Sequence, residues 1–138
     1  MANYIRIKVL DYQDKIKIDK TYQAENRGAA YNELLKTYPE VKNTIGLYHH
    51  IETEEIEVFY TGGGIWIAET HLNNDTYATI DNDFIGCLTI YKDSNEEEKY
   101  TPENMIYSAG VEDLDENNKK IYESLLYALQ TELNNQNK

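Results

Sequence analysis

Between residues 47 and 91 short runs rich in apolar side chains, which in 54–60 recur at every second position, are broken by turn-forming clusters. A period of two is that of a strand with one buried face, so this pattern restricts the fold more than any other feature of the chain. "EEIEVFY" (54–60) sets Glu55 and Glu57 outward against Ile56 and Val58 inward. "LYHHI" (47–51), "IWIAETHL" (65–72), "TYATI" (76–80) and "CLTIY" (87–91) read as further strands. The breaks are Gly62-Gly63-Gly64, the "NND" at 73–75 and "DNDFIG" at 81–86. Strands so short and closely spaced predict an antiparallel meander.

On the N-terminal side, "YIRIKVL" (4–10) places Tyr4, Arg6 and Lys8 on one side and Ile5, Ile7 and Val9 on the other. "KIKID" (15–19) alternates again, and the polar "DYQD" between them suits a turn, so a β-hairpin is expected. The period then changes. Ala30, Leu34 and Tyr38 recur at helical spacing between a capping Asn26 and Pro39, which lacks the N–H that a helix needs. Residues 40–46 read as a short irregular or helical piece. "KDSNEEEKYTPEN" (92–104) has no period and reads as a loop. A second helix begins after Asp115 as N-cap, with a stripe of Ile121, Leu125, Ala128, Leu129 and Leu133. The expected fold is α+β: a hairpin plus a three- to four-stranded meander, packed with one internal and one C-terminal helix. A length of 138 residues predicts one domain over 1–138, with residues 134–138 frayed.

The three glycines invite a nucleotide-binding reading, which the neighbouring residues exclude. A phosphate loop needs G-x-x-x-x-G-K-[ST] opening a helix, so that N-terminal N–H groups and a lysine hold the phosphates. Here Ile65, Trp66 and Ile67 follow, a strand-forming run without lysine. The dinucleotide fingerprint fails at the same residues. The glycines are expected to connect a hairpin, supplying positive φ.

Charge narrows the partner class. The chain has 25 acidic and 13 basic residues, net −12. Residues 1–50 carry 8 basic and 6 acidic residues, and residues 51–138 carry 5 basic and 19 acidic. Such a field repels phosphate backbones and anionic lipid surfaces, so direct binding to nucleic acid or membrane is disfavoured and a basic partner protein is favoured. The simpler reading is that the acids only maintain solubility. No apolar run approaches the roughly 20 residues of a membrane helix, and no signal-peptide pattern opens the chain. Cys87 is the sole cysteine, which excludes an intrachain disulfide and suits a reducing cytoplasm.

Catalytic and metal motifs are weak. His49, His50 and His71 are the only histidines. The first two point to opposite faces of a strand, so at most one joins His71 and Glu52 or Glu69. A calcium loop at 81–86 fails because Ile85 takes the place of an oxygen ligand and Lys92 stands where the closing glutamate belongs. Cys87 opens an apolar strand and reads as a buried structural cysteine rather than a nucleophile. G-x-S-x-G, H-E-x-x-H and C-x-x-C are absent from the sequence. No metal, cofactor or catalytic residue is assigned, although 25 acids allow an unrecognised carboxylate pair and hence a small enzyme.

The acids do form a pattern. Glu55 and Glu57 lie two apart on a strand, about 6.7 Å from each other on one face. Glu52 and Glu54 extend the row, and Asp81, Asp83, Glu96, Glu97 and Glu98 add to it from the loops. Strand carboxylates also suppress edge pairing, and the group Glu112, Asp113, Asp115 and Glu116 reads as helix capping.

With 13 tyrosines and this acidic excess, the chain resembles the small acidic single-domain proteins of phages and mobile elements, among them anti-CRISPR inhibitors that imitate nucleic acid. The resemblance is one of composition over the whole chain. It implies a non-enzymatic inhibitor in the host cytoplasm that occludes the basic groove of a nucleic-acid-binding effector such as a CRISPR nuclease. Glu52, Glu54, Glu55, Glu57, Asp81, Asp83, Glu96, Glu97 and Glu98 would then meet its Lys and Arg. The alternative is an accessory protein that binds its partner through a tyrosine-rich apolar surface. A dimer through strand 4–10 as a sheet edge is a further expectation.

Overall fold

The computed structural model describes residues 2–44, 49–72, 75–92 and 102–136. They form an α+β fold with a seven-stranded antiparallel sheet in the order β2-β1-β3-β4-β5-β6-β7. The strands are β1 (Ala2–Asp11), β2 (Ile16–Gln23), β3 (His49–Gly62), β4 (Ile65–Leu72), β5 (Thr76–Asp81), β6 (Cys87–Lys92) and β7 (Met105–Gly110). The helices are α1 (Arg27–Thr37), the single turn α2 (Val41–Thr44) and α3 (Glu116–Gln136). No described helix is long and apolar enough to cross a membrane. The chain divides into two compact units, Asn3–Glu55, and Met1–Ala2 with Ile56–Lys138.

In the unit Asn3–Glu55, β1 and β2 form the expected hairpin, with Ile5 opposite Tyr22 and Val9 opposite Ile18. Asp11 shapes its turn by accepting the N–H groups of Gln13 and Lys15. α1 starts where the sequence places its cap: Asn26 accepts the Ala29 N–H at 2.8 Å. Ala30 and Leu34 are fully buried against Ile5, Ile7, Val9 and Val41, forming a small core. β1 is buried on both sides, because Tyr4 and Arg6 are as inaccessible as the isoleucines. β1 also lies between β2 and β3, so it is not the edge expected for dimer pairing. The outer strands are β2 and β7. A hairpin pattern alone does not tell which of its two strands accepts the next neighbour.

In the unit Ile56–Lys138, the meander pairs consecutive strands from β3 to β7. Gly62, Gly63 and Gly64 have φ of 104°, 63° and 82°, so all three occupy the left-handed side that only glycine adopts without strain. Asn82 clips this turn, donating to the Gly64 carbonyl and accepting from the Trp66 N–H. α3 begins as expected, with Asp115 accepting the Asn118 N–H at 2.8 Å, and it packs on β4 and β5. Tyr122, Leu125, Ala128 and Leu129 are buried against a face that includes Ala68, Ala78, Ile80 and Leu88. The stripe is rotated from the expected one, since Ile121 and Leu133 are only half-buried. The Tyr122 hydroxyl donates to the Ile85 carbonyl at 2.7 Å, which holds that side chain inward.

Two elements differ from the sequence pattern. Residues 49–51 and the segment 54–60 belong to one strand, because Glu52 and Thr53 continue the extended backbone from His49. β7 is a strand that alternation does not announce: "MIYSAG" has small residues and ends in glycine, and it is secured by pairing with β6, as in Leu88 opposite Ala109. Within the expected loop, Pro102–Asn104 form a turn, Asn104 is buried and its carbonyl accepts the Lys92 N–H. Residues 45–48, 73–74 and 93–101, which hold parts of the expected first meander strand, the NND turn and the remainder of that loop, lie outside the described residues.

Candidate functional site

The acids singled out by the sequence have two different environments. In the unit Asn3–Glu55, charge is organised inward. Arg6, 2 % exposed, forms a two-pronged pair with Asp19 (Nε–Oδ1 2.9 Å, Nη2–Oδ2 2.7 Å) and donates through Nη1 to Glu54 Oε2 at 2.9 Å. Lys8 Nζ takes the other Glu54 oxygen at 2.8 Å and lies 3.4 Å from Glu52. His50 Nε2 extends the chain, 3.7 Å from Glu52 and 3.5 Å from Asp14. Burial by itself lowers the pKa of Arg6; the hydrogen bonds and charges of Asp19 and Glu54 outweigh it, so the guanidinium is held charged above its ordinary value.

Alternation along β3 separates the expected row of glutamates. Glu52 and Glu54 share one parity, with His50, while Glu55 and Glu57 share the other. Glu54 has both oxygens engaged by in-chain cations, and Glu52 is shared between Lys8 and His50. Glu55 is exposed and meets Arg27 only at 3.6 Å. The four glutamates therefore do not form one continuous carboxylate row.

In the unit Ile56–Lys138 the acids are organised differently. Glu57 is exposed. Asp81 ends β5, and its Oδ1 accepts the N–H groups of Asp83 and Phe84 at 2.9 and 2.8 Å. This turn holds the 81–86 loop and leaves Asp83 and Phe84 exposed. Among the described residues no Lys or Arg pairs with Glu57, Asp81 or Asp83. Glu96, Glu97 and Glu98 lie outside the described residues.

A feature that a residue-by-residue reading misses appears on this unit's sheet. The registers place Glu57 opposite Glu69, Glu69 opposite Thr79, Thr79 opposite Thr89, and Thr89 opposite Ser108. A row of polar side chains thus crosses five strands. Glu69 and Thr79 are buried in it, and Glu69 Oε1 lies 3.8 Å from His71 Nε2. Beside it run the rings of His71, Tyr77 and Tyr91, with centroids 5.8 and 6.0 Å apart. The signal in the sequence was Glu69 directly after the apolar run Ile65-Trp66-Ile67-Ala68, but its neighbours are set only by register.

Where Thr79, Asp81, Cys87, Thr89, Tyr91 and Ser108 converge, the surface forms a concavity of about 240 Å³ with Phe84 also in its wall. Burial, and after it the negative charge of Asp81, raise the Tyr91 phenol above its ordinary pKa. Cys87 is half-buried in this wall rather than fully enclosed as its strand pattern suggested. Among the described residues no group of three or more His, Cys, Asp and Glu is arranged to hold a metal ion. Set against family models, curated proteins and solved structures, the chain finds no match in any of the three, so its chemistry is argued from its own residues.

Proposed function

We propose that this protein is a non-enzymatic binding protein that engages a basic partner through carboxylates and competes for the groove in which that partner holds nucleic acid. A CRISPR-type nuclease is one such partner, and the reducing cytoplasm is the setting. One observation carries the reading: the charge excess is confined to one unit. Asn3–Glu55 holds eight basic and nine acidic residues, whereas Met1–Ala2 with Ile56–Lys138 holds five basic and sixteen acidic. Among the described residues Glu57, Asp81 and Asp83 carry none of the Lys or Arg pairs that occupy Glu54, so they are the contacts we assign first.

The tyrosine-rich surface is less well supported. Among the described tyrosines only Tyr12, Tyr60 and Tyr127 are exposed; the others are wholly or partly packed. Affinity capture from host lysate at low and high salt tests the reading. A nucleic-acid-binding protein retained at low salt and released at high salt is expected, because attraction between exposed charges is screened within a Debye length. Capture that survives high salt would transfer the function to an apolar interface and overturn the carboxylate reading.

A further inference from the structure

We propose that the concavity at the end of β5 is a socket for a single arginine side chain of the basic partner. The inference deepens the reading above and takes the class of its occupant from it. Four properties of the socket select a guanidinium. Its size, about 240 Å³, falls below the roughly 300–1,000 Å³ of pockets for drug-sized ligands, so it suits one side chain. Among the described residues its only charged wall residue is Asp81, in a unit that carries sixteen acids against five bases, which disfavours an anionic guest.

Its polar groups are set to accept. Both described hydrogen bonds to Asp81 reach Oδ1. The Thr79 hydroxyl directs its proton to the Thr89 carbonyl at 3.5 Å, and the Thr89 and Ser108 hydroxyls bond each other at 3.1 Å. The Thr89–Ser108 bond uses one of their two protons, and each hydroxyl oxygen keeps a lone pair for a guest that brings donors; a guanidinium brings five in a plane. Finally, Phe84 in the wall is 67 % exposed, and an exposed ring of this kind is a surface on which a guanidinium stacks.

Titration of the nitrogen-labelled protein with N-acetyl-arginine methylamide, followed by amide NMR, tests this. Saturable shifts confined to residues 79–91 and the 105–110 strand are expected. Asp81→Asn keeps the Oδ1 acceptor that shapes the loop and removes the charge, so it should weaken binding about tenfold or more, the scale of a lost charge-assisted bond. Tyr91→Phe should weaken it less, and Glu123→Gln, exposed on α3, should leave it unchanged. The socket is refuted by the absence of saturable shifts, by equal shifts with neutral N-acetyl-glutamine methylamide, or by equal weakening from Glu123→Gln and Asp81→Asn. Its failure separates from that of the function. A basic partner captured equally by wild type and Asp81→Asn, with unshifted amides, ends the socket alone. Arginine binding without any salt-sensitive partner ends the proposed function alone.

Discussion

The two units use ionisable residues in opposite ways. In Asn3–Glu55 the numbers of acids and bases nearly match, and the charges are drawn into the structure: Arg6 is almost inaccessible and is answered by Asp19 and Glu54. In Ile56–Lys138 acids outnumber bases more than threefold, and Glu57 and Asp83 stay on the surface. The difference teaches that acid count alone does not locate a binding surface. A carboxylate whose oxygens already hold in-chain cations has little left for a partner, whereas one without such a pair contributes its whole field.

The comparison breaks most readily at Arg6. Arg6→Ala leaves Asp19 and Glu54 around an uncompensated site and should cost about 3–5 kcal/mol of stability, read from the urea midpoint. A cost below about 1 kcal/mol would show that the buried network does not hold its unit together. Glu54→Gln keeps the shape and loses one charge, and should cost about 1–3 kcal/mol.

Charge reversal at the exposed glutamates of β3 sharpens the contrast with the buried network. The double change Glu55→Lys and Glu57→Lys should shift stability by about 1 kcal/mol or less, since both positions are exposed and the Glu55–Arg27 pair is loose. It should nevertheless abolish salt-sensitive capture of the partner. Retained capture by a folded double variant would remove Glu55 and Glu57 from the interface.

The smallest expected effects concern pH, and the two units again part. The Asp11 carboxyl is held below its ordinary value, first by the Lys15 N–H and further by the Gln13 N–H and Lys17. A depressed carboxyl favours the fold above its unfolded value and loses that contribution as pH falls through its folded value. Asp11→Asn should therefore flatten the acid limb of a stability–pH curve. Tyr91 is raised, first by burial and then by Asp81, so its contribution is present below the ordinary tyrosine value of about 10 and is lost as pH rises beyond it. Tyr91→Phe should flatten the alkaline limb. Unchanged limbs in these variants would show that neither group couples to folding.

Local pattern determined a good deal of this protein. Short apolar runs between turn signals placed β4, β5 and β6, helical spacing and Asn26 placed α1, and Asp115 placed the start of α3. The glycines could be read because positive φ is a property of single residues and their immediate neighbours. These features depend on contacts between residues close in the chain, so the chain alone carries them. The tertiary structure decided what depends on distant residues. β7 is a strand because β6 offers it a ladder; β1 is interior because β3 takes its second edge; and Glu54 is occupied because Arg6, 48 residues away, donates to it. The polar row from Glu57 to Ser108 has the same origin, since a shift of one residue in any register would turn that strand's side chains to the other face.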